Sequence, residues 1–455
     1  MTPEMLLLLA RQQAQQGHLQ RAAAHYETCL QRHLPVHQEY AGMLYQHGLF
    51  QQAATILTQA LKVSPQDPHL FFLRALSVLA SGQNSAALDD MDCCIKLAPT
   101  RLVYLRQRAT LFAQLDILDG ALGDFQKIVQ LAPDDDEALA NCGIIHLRRN
   151  EYTQAVQLLT RHLDRNGDNA QVRRSLANAH RGLGNMDTAL NLLSSLYAET
   201  PKSDAVQTDY ALTLLADRNF DSSYQHYQEV VARSPSDQWA LTGLYLSSYA
   251  RGDAAMARKL INSELLVVTD DAGLLDRAAL EANILAHPRL RWEPTGKSTT
   301  GGQQTTLLDL KSPPYAQLGE LLQQRVQQIF HSMRTVDQGN AAHPWLRALP
   351  SQWKLQVWAT VLHGQGGHQR PHIHPAGWIS GVYYLNSGDG DRDDGNLIFG
   401  HPPDELKLPS PDGDFQHAPK TGQILFFPSF FLHHTTPYSG SVKRISIAFD
   451  AVPLP

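Results

Sequence analysis

The residues best suited to chemistry lie in the last quarter of the chain. His372 and His374 are separated by one residue, His433 and His434 are adjacent, and Arg444 follows them. In a strand, residues i and i+2 point to the same face, so His372 and His374 can approach one ion together. Imidazole is a common ligand of transition metals, including iron. The spacing therefore predicts a metal site.

Only one histidine of the adjacent pair can serve such a site. Neighbouring residues on a strand point to opposite faces, so either His433 or His434 faces inward and the other lies at the rim. Arg444 and Ser446 again share a face. A guanidinium binds a carboxylate through paired hydrogen bonds, and a hydroxyl adds a donor. Because Arg444 lies in an otherwise apolar run, we favour a carboxylate anchor over a surface ion pair.

The composition indicates a folded protein with more than one domain. The chain has 455 residues, of which 43% are hydrophobic and 18% charged, and one core rarely grows to this length. The formal net charge of −6 and the pI near 6.4 give no sign of binding to nucleic acid or to an anionic membrane. No apolar run has the roughly eighteen residues of a membrane-spanning helix.

The cysteines and the start of the chain bear on location. The cysteines show no metal-binding spacing and fall in helical patterns, so they are predicted to be small buried residues; they are Cys29, Cys93, Cys94 and Cys142. Nothing in their use requires an oxidising compartment, and the first residues suit an amphipathic helix better than a signal peptide. A cytoplasmic location is expected.

A 34-residue repeat organises the N-terminal part of the chain. Proline or another turn residue recurs in one phase, at Pro65, Pro99, Pro133, Gly167, Pro201 and Pro235. A small residue recurs in a second phase, at Ala53, Ala87, Ala121, Ala155, Ala189, Ser223 and Ala257. The small residue lets two helices approach closely, and the proline ends the second helix. The pattern resembles the tetratricopeptide repeat and predicts about eight helix–turn–helix units over residues 3–271, with a closing helix over 273–286.

Such an array offers a candidate groove for a partner. The resemblance implies a curved solenoid whose concave side is lined by the first helix of each unit. Arg174, Asn178 and Arg181 fall on one face of that helix in the sixth unit, and this stripe suits a peptide carboxylate or acidic side chains. Asp209, at the matching position of the next unit, has the opposite charge, and a solvated polar face is the alternative interpretation.

After Ala286 the sequence changes to short apolar runs separated by glycine, proline and aspartate. A helix is predicted over residues 314–333, and strands at 305–310, 353–362, 378–386, 396–399, 423–427 and 443–450. This order predicts an antiparallel double-stranded β-helix, or jelly roll, with a supporting helix. The predicted fold class is thus multidomain, with an all-α solenoid domain (residues 1–286) followed by a jelly-roll domain (287–455).

The second domain resembles a known enzyme family. Pro-His-Ile-His-Pro (371–375), Ser-Gly-Val-Tyr-Tyr-Leu (380–385) and Phe-Pro-Ser-Phe-Phe-Leu-His (427–433) precede Arg-Ile-Ser (444–446). These blocks resemble the 2-oxoglutarate/Fe(II)-dependent dioxygenases, and more narrowly a little-characterised branch that carries them. Prolyl hydroxylases of this superfamily have a proline four residues after the distal ligand histidine, and Pro437 keeps that gap.

The resemblance implies Fe(II) as the metal, 2-oxoglutarate as cosubstrate and O2 as oxidant. It assigns His372, His374 and His433 as metal ligands and favours His433 over His434. Arg444 would hold the distal carboxylate of 2-oxoglutarate, with Ser446 and Tyr384 as additional donors. Trp378, Phe430 and Phe431 would line the pocket or pack in the core.

One departure from the family leaves the third ligand open. The family usually has His-x-Asp, which gives two histidines and one carboxylate, and here His374 occupies the carboxylate position. Three neutral histidines are the favoured set. Alternatively, a carboxylate of the acidic turn at residues 389–394 completes the site, or only His372 and His433 bind, as in the halogenases of this superfamily.

The resemblance implies oxidation of a substrate coupled to decarboxylation of 2-oxoglutarate to succinate. The favoured function is hydroxylation of a protein or peptide side chain recruited by the repeats. A small-molecule tailoring oxygenase (hydroxylase or halogenase) and a catalytically inactive repeat scaffold are the alternatives. The substrate, the carbon attacked and the oligomeric state do not follow from the sequence.

Overall fold

The computed structural model contains helical repeats followed by a β-sheet domain. It describes residues 2–340, 343–391, 393–408 and 415–454. The chain forms two compact units, Met1–Ile145 and His146–Pro455. No helix in these described ranges is long and apolar enough to cross a membrane.

The first unit consists of helix–turn–helix repeats. Its helices are α1 (Pro3–Gln15), α2 (Leu19–Gln31), α3 (His37–Gln46), α4 (Phe50–Val63), α5 (Pro68–Ala80), α6 (Asn84–Leu97), α7 (Leu102–Gln114), α8 (Leu118–Leu131) and most of α9 (Asp136–Arg148). The small residues of the repeat are fully buried at Ala53, Ala87 and Ala121, as expected where two helices approach closely. Three of the four cysteines are buried, Cys93 is partly exposed, and all four are free thiols.

The second unit begins with the remaining repeats. Its helices are α10 (Tyr152–Asn166), α11 (Ala170–Gly182), α12 (Met186–Glu199), α13 (Asp204–Ala216), α14 (Phe220–Arg233), α15 (Gln238–Ala250) and α16 (Ala254–Leu260). Helices α1 to α16 pair as eight helix–turn–helix units. The eighth is cut short, because α16 ends at Leu260 and residues 267–270 form a strand instead of a helix. The β-branched Val267, Val268 and Thr269 favour that strand.

The β-sheet domain is antiparallel throughout its described ladders. Its strands are β1 (Val267–Asp270), β2 (Arg291–Trp292), β3 (Thr299–Thr300), β4 (Gly302–Gln304), β5 (Trp353–Leu362), β6 (His368–Gln369), β7 (Ile379–Asn386), β8 (Leu397–Phe399), β9 (Phe415–His417), β10 (Gln423–Pro428), β11 (His433–Thr435) and β12 (Arg444–Pro453). Within the described ranges they form sheets in the orders β1-β10-β7-β12-β5-β4-β2, β11-β8-β9 and β3-β6. The predicted fold class, a helical solenoid followed by a double-stranded β-helix, is confirmed.

Two helices support the large sheet. These are α17 (Arg277–Leu285), which begins at the capping residue Asp276, and α18 (Ala316–Asn340). The predicted apolar stripe of α18 is buried, at Leu318, Leu321, Leu322, Val326, Ile329 and Phe330. The prediction of a strand at 305–310 is wrong, because the strand in this region is β4 at Gly302–Gln304. After β4 the chain runs beside β5, to which the Thr305 and Leu308 amides each donate one hydrogen bond.

The last repeats and the β-sheet domain share one hydrophobic core. Buried residues of that core run from Ala211 in α13 through α15 and α18 to Ala451 in β12. Two hydroxyl groups of α15 bond the β-sheet domain: Thr242 donates to the Phe430 carbonyl at 2.7 Å, and Tyr245 donates to the Gly400 carbonyl at 2.6 Å. The domain boundary at 286/287 stays a prediction, and the core is continuous across it.

Candidate metal centre

Three histidines converge at one end of the small β11-β8-β9 sheet. His433 begins β11, and it exchanges backbone hydrogen bonds of 3.0 Å with His372 in an isolated bridge. The His374 amide donates to the Ser429 carbonyl at 3.0 Å. The expectation that His372 and His374 lie on a regular strand is wrong, because β6 ends at Gln369. The flanking prolines have no N–H to continue a ladder.

The side chains of these histidines face one point. Their candidate ligand atoms all lie within 4.8 Å of one another. The ring centroids are 4.3 Å apart for His372 and His433, 5.1 Å for His374 and His433, and 5.3 Å for His372 and His374. His374 and His433 are buried, and His372 is partly exposed. The three histidines predicted as ligands are thus brought together.

Hydrogen bonds fix which nitrogen of each ring is free. The Nδ1 of His372 lies 2.7 Å from the Arg370 carbonyl, and that of His433 lies 2.8 Å from the Phe431 carbonyl. Carbonyl oxygens only accept, so both Nδ1 atoms carry the hydrogen. The Nδ1 of His374 lies 2.6 Å from Oδ1 of Asp450 and donates to that carboxylate. With Nδ1 as the donor, the nitrogen left on each ring to bind a metal is Nε2.

Burial keeps two of these imidazoles uncharged. It lowers the pKa of His372 to about 3, and the nearby ring of His374 adds to the effect. Burial also holds the pKa of His433 well below its ordinary value, with His372 and His374 contributing. A neutral imidazole is the form that binds a metal, so these rings are ready to act as ligands at neutral pH.

The hydroxyl group of Ser298 also reaches this point. Its Oγ lies 3.4 Å from Nε2 of His372, beside the place where the three rings meet. Ser298 immediately precedes β3, which pairs with β6 ahead of the histidine pair. Sequence reasoning missed this residue, because a serine between lysine and threonine in a loop gives no signal.

Asp450 is a second residue that sequence reasoning missed. Besides His374, its Oδ1 accepts a hydrogen bond from the Ser380 hydroxyl at 2.6 Å. It lies on β12, on the same face as Arg444 and Ser446. The residues of the opposite face are fully buried apolar side chains, namely Ile445, Ile447 and Phe449. This period-two pattern could have identified Asp450, since alternate residues of a strand share a face.

Arg444 is buried, and it forms no ion pair with any residue that the structure describes. Its side chain is 2% exposed, and its Nε and Nη1 have no hydrogen-bond partner in the described part of the chain. Burial lowers the pKa of the guanidinium below its ordinary value, although an arginine still stays charged at neutral pH. Gly395 makes room for it, because a Cβ there would lie 2.5 Å from Nη1. Such a charge needs an anion to offset its burial.

Three polar side chains lie on the same face of the large sheet as Arg444: Thr360, Tyr384 and Ser446. The ring centroid of Tyr384 lies 5.6 Å from the central carbon of Arg444, and burial raises the pKa of its hydroxyl to about 12. Thr360 and Tyr384 are register partners of Ser446 on the flanking strands, so their side chains share its face. The hydroxyls of Thr360 and Tyr384 are buried without a partner among the described residues.

Other candidate residues lie elsewhere. His434 turns away from the cluster, and its ring centroid is 5.4 Å from that of His401. The acidic turn is used locally: Asp389 accepts from the Ser441 hydroxyl at 2.5 Å and Asp394 accepts from Ser439. Neither aspartate belongs to the histidine cluster. The aromatic residues Trp378, Phe430 and Phe431 are fully buried in the core.

The predicted groove residues are paired with one another. Asn178 donates to Oδ2 of Asp209 at 2.9 Å, Arg174 lies 3.4 Å from the same oxygen, and Arg181 donates to Oδ1 of Asn178 at 2.7 Å. Asp209, noted in the sequence for its opposite charge, therefore neutralises part of this stripe from the next repeat.

Comparison with known families agrees with the two parts of the fold. Residues 356–450 match the family described as "Putative 2OG-Fe(II) oxygenase". Residues 118–179 match one family of tetratricopeptide repeats, and residues 43–92 and 174–238 match another. The chain is therefore a tetratricopeptide-repeat protein with a C-terminal 2OG-Fe(II) oxygenase domain. The predicted enzyme class and its use of Fe(II) and 2-oxoglutarate are confirmed at the level of this family.

Two known proteins are similar to part of this chain. Tetratricopeptide repeat protein 6 of Homo sapiens is 26% identical over 129 residues, which are 28% of this chain and 25% of that protein. Cellulose synthase 1 operon protein C of Komagataeibacter xylinus is 30% identical over 167 residues, 32% of this chain and 12% of that protein. The chain thus spans a quarter or less of the length of these relatives.

Two solved structures are similar to the helical part. A tetratricopeptide repeat protein from Parabacteroides merdae has a TM-score of 0.41 and 16% identity, covering 54% of this chain and 98% of its own. YrrB, described as a TPR protein with an unusual peptide-binding site, has a TM-score of 0.34 and 14% identity, covering 41% of this chain and 95% of its own.

The residues present fit the groups that this family uses. Three imidazole Nε2 atoms close together suit a transition metal, and a buried guanidinium with two nitrogens lacking a partner among the described residues suits a carboxylate. The roles of His372, His374 and His433 as ligands, and of Arg444, Ser446 and Tyr384 as cosubstrate contacts, stay predictions.

Proposed function

We propose that the protein is an Fe(II)/2-oxoglutarate-dependent dioxygenase that hydroxylates a side chain of a protein or peptide. The observation that carries the oxygenase assignment is the presence of two features in one domain: three histidines whose ligand atoms lie close together, and the buried Arg444, whose Nε and Nη1 have no hydrogen-bond partner among the described residues. His372, His374 and His433 would hold the iron. Arg444 would hold the distal carboxylate of 2-oxoglutarate, with Ser446, Tyr384 and Thr360 as neighbouring hydroxyls.

Bound iron and 2-oxoglutarate supply the activation of O2, with succinate and CO2 as by-products. The chain supplies position and exclusion of water. Each histidine ring is fixed through Nδ1, so little reorientation is needed when its Nε2 binds. The ring of His433 packs against Phe427 and Phe399, at centroid distances of 4.8 and 6.0 Å. These aromatic groups keep one side of the site apolar, which strengthens electrostatic interactions within it.

The repeats support a macromolecular substrate. Helices α11, α13 and α15 are the first helices of successive repeats in the second unit, and α15 is bonded directly to the β-sheet domain. The position equivalent to Arg174, two repeats on, is Thr242, which binds the Phe430 carbonyl. A polypeptide bound along α11 and α13 would therefore be held at a fixed distance from the histidines.

The pairing of the groove stripe favours the second candidate function, a small-molecule oxygenase. Arg174, Asn178 and Arg181 are already engaged with each other and with Asp209. If that pairing persists in every complex, the stripe is structural and the repeats serve assembly alone.

The oxygenase assignment is tested by anaerobic titration of the full chain with Fe(II) and 2-oxoglutarate. We expect a weak visible charge-transfer band near roughly 500 nm, a property of the iron and cosubstrate themselves. Absence of both metal binding and this band would refute the assignment.

The substrate class is tested by mass spectrometry of cellular proteins with and without the enzyme, searching for added oxygen. An R174A/R181A variant should lose peptide turnover while it keeps substrate-independent succinate formation. The control is R165A, because Arg165 lies at the end of α10, outside this stripe. If no protein gains oxygen and the double variant matches the wild type with a small-molecule acceptor, the small-molecule function is favoured.

A further inference from the structure

Asp450 is a buried carboxylate that pairs with no lysine or arginine among the described residues. Its side chain is 6% exposed. Among the described residues, its one ion-pair partner is His374, whose Nδ1 lies 2.6 Å from Oδ1 of Asp450. Burying an ionised carboxylate is costly unless a charge or several donors compensate. A metal bound to Nε2 of His374 would place a positive charge on the far side of the ring that Asp450 contacts through Nδ1.

The position of Asp450 complements the departure from the usual ligand set. A direct carboxylate would contribute one negative charge to the metal site, and this chain has His374 at that place. Asp450 arrives from the distant strand β12 and binds the far side of the same imidazole. The negative charge is thus present, but one imidazole further from the metal.

We propose that Asp450 supplies, through His374, the negative charge that a carboxylate ligand supplies in related enzymes. It also acts as the positioning residue that keeps Nε2 of His374 directed at the metal. This inference rests on the proposed function, since it requires that the histidines bind iron.

A compact network holds both Asp450 and His374. Ser380 donates to Asp450 at 2.6 Å, and its oxygen lies 2.8 Å from the Ser429 hydroxyl. The Ser429 carbonyl accepts from the His374 amide. A Cβ at Gly377 would lie 2.5 Å from the Ser429 hydroxyl oxygen and 3.2 Å from Cβ of Asp450. The ring of His374 is therefore fixed from its backbone and from Nδ1 by connected groups.

The same strand carries the proposed cosubstrate anchor. Arg444 and Asp450 lie on one face of β12, six residues apart. Strand β12 would thus position both the guanidinium that binds 2-oxoglutarate and the carboxylate that hydrogen-bonds the iron ligand His374. Because electrostatic interaction weakens with distance, Asp450 compensates the metal less than a direct ligand would. The site should therefore favour ferrous over ferric iron more strongly than a site with a direct carboxylate.

The test compares D450N with D271N in the full chain. The first substitution keeps the shape of the side chain and removes its charge. Asp271 is the matched control, because it is also buried and ion-paired, with Arg277 at 2.7 Å, and belongs to a different cluster. Fe(II) affinity is measured anaerobically by competition with a chelator, and the Fe(III)/Fe(II) midpoint potential by mediated titration.

We expect D450N to bind Fe(II) roughly 10–100-fold more weakly, as is usual when an outer partner of a ligand histidine is lost. Its midpoint potential should rise, because ferric iron loses more from the missing charge than ferrous iron does. D271N should keep the wild-type iron affinity and potential. Circular dichroism of each metal-free variant establishes that it is folded.

Each outcome has a distinct meaning. A wild-type protein that binds no Fe(II) overturns the proposed function. A wild-type protein that binds Fe(II), together with a folded D450N of equal affinity and potential, overturns this inference alone. If D450N does not fold, S380A removes one donor from the carboxylate and leaves its charge in place. It should weaken Fe(II) binding several-fold, and unchanged binding in S380A contradicts the proposal.

Discussion

The arginines of the repeat stripe and Arg444 of the β-sheet domain differ in how their positive charge is balanced. Arg174 and Arg181 in the repeats lie among Asn178, Asp209 and Thr213 and are partly exposed. Arg444 in the β-sheet domain is almost fully buried, and two of its nitrogens have no partner in the described ranges. Paired, partly exposed charges contribute little to stability, whereas a buried unpaired charge is costly. The difference supports the proposal that Arg444 binds an anionic ligand, whereas part of the charge of the repeat stripe is already offset by Asp209.

The largest effect is expected at the proposed metal site, where the adjacent residues His433 and His434 can be compared. H433A should lose more Fe(II) affinity than the roughly 10–100-fold that loss of an outer partner costs, because it removes a predicted direct ligand. H434A is the matched control, since His434 faces His401 and should bind iron normally. Chelator competition measures both. Equal losses in the two variants would mean that His433 is not a ligand.

The next test removes the unpaired charge itself. R444Q should raise the apparent KM for 2-oxoglutarate roughly 100-fold, or about 3 kcal/mol, because a bidentate charge-assisted contact is lost. Without cosubstrate the variant should be at least as stable as the wild type, since it no longer buries an unpaired cation. Steady-state succinate formation and thermal unfolding measure the two effects. K443Q, at the exposed neighbouring position, should change neither.

A fourth arginine, Arg277, extends the comparison to an ion pair whose contribution to stability depends on pH. It bonds buried Asp271 at 2.7 Å, and Tyr383 donates to the same carboxylate. Although burial alone raises it, these donors lower the pKa of Asp271 to about 2, from an ordinary 3.8. The pair therefore contributes about 2 kcal/mol above pH 4, and this contribution is lost as the pH falls through 2.

Urea unfolding of the wild type and D271N between pH 5 and 2.5 measures that contribution. The stability difference between the two proteins should shrink as the pH falls. A constant difference would show that the Asp271 carboxylate is not held in the ionised form by Arg277.

The smallest effect is expected in the repeats. D209N removes the carboxylate that faces Arg174 and Asn178, and it should cost at most about 1 kcal/mol because the pair is partly exposed. Fe(II) and 2-oxoglutarate binding should stay unchanged. A loss of several kcal/mol in thermal or chemical unfolding would show that the stripe is a structural network rather than a weakly coupled surface.

The long periodic elements could be predicted from the sequence. The 34-residue period predicts the helical repeats, and the strand predicted at 353–362 matches β5 residue for residue. The short strands β2, β3, β6 and β9 were missed, because two or three residues give no period. The early end of α16 was missed for another reason: Ile261 is buried as the repeat requires, yet strand pairing of residues 267–270 with β10 overrides the helix.

The site could be predicted only where its residues have a distinctive type. Histidine pairs and an arginine in an apolar run are uncommon, so the convergence of His372, His374 and His433 was expected. Asp450 lies 76 residues from His374, and a lone aspartate in a strand has many ordinary explanations. Its partner follows from the pairing of strands, which sequence spacing alone does not give.

The hydroxyl contacts of α15 have a consequence for how the protein is made. Thr242 bonds a carbonyl 188 residues further along the chain. At a synthesis rate of roughly 5–20 residues per second, α15 leaves the ribosome about 10–40 seconds before Phe430 does. The earlier repeats can stack as they emerge, but the face of α15 that packs against the β-sheet domain stays exposed to solvent until that domain is synthesised. We expect the eighth repeat to be the segment of the nascent chain most dependent on chaperones.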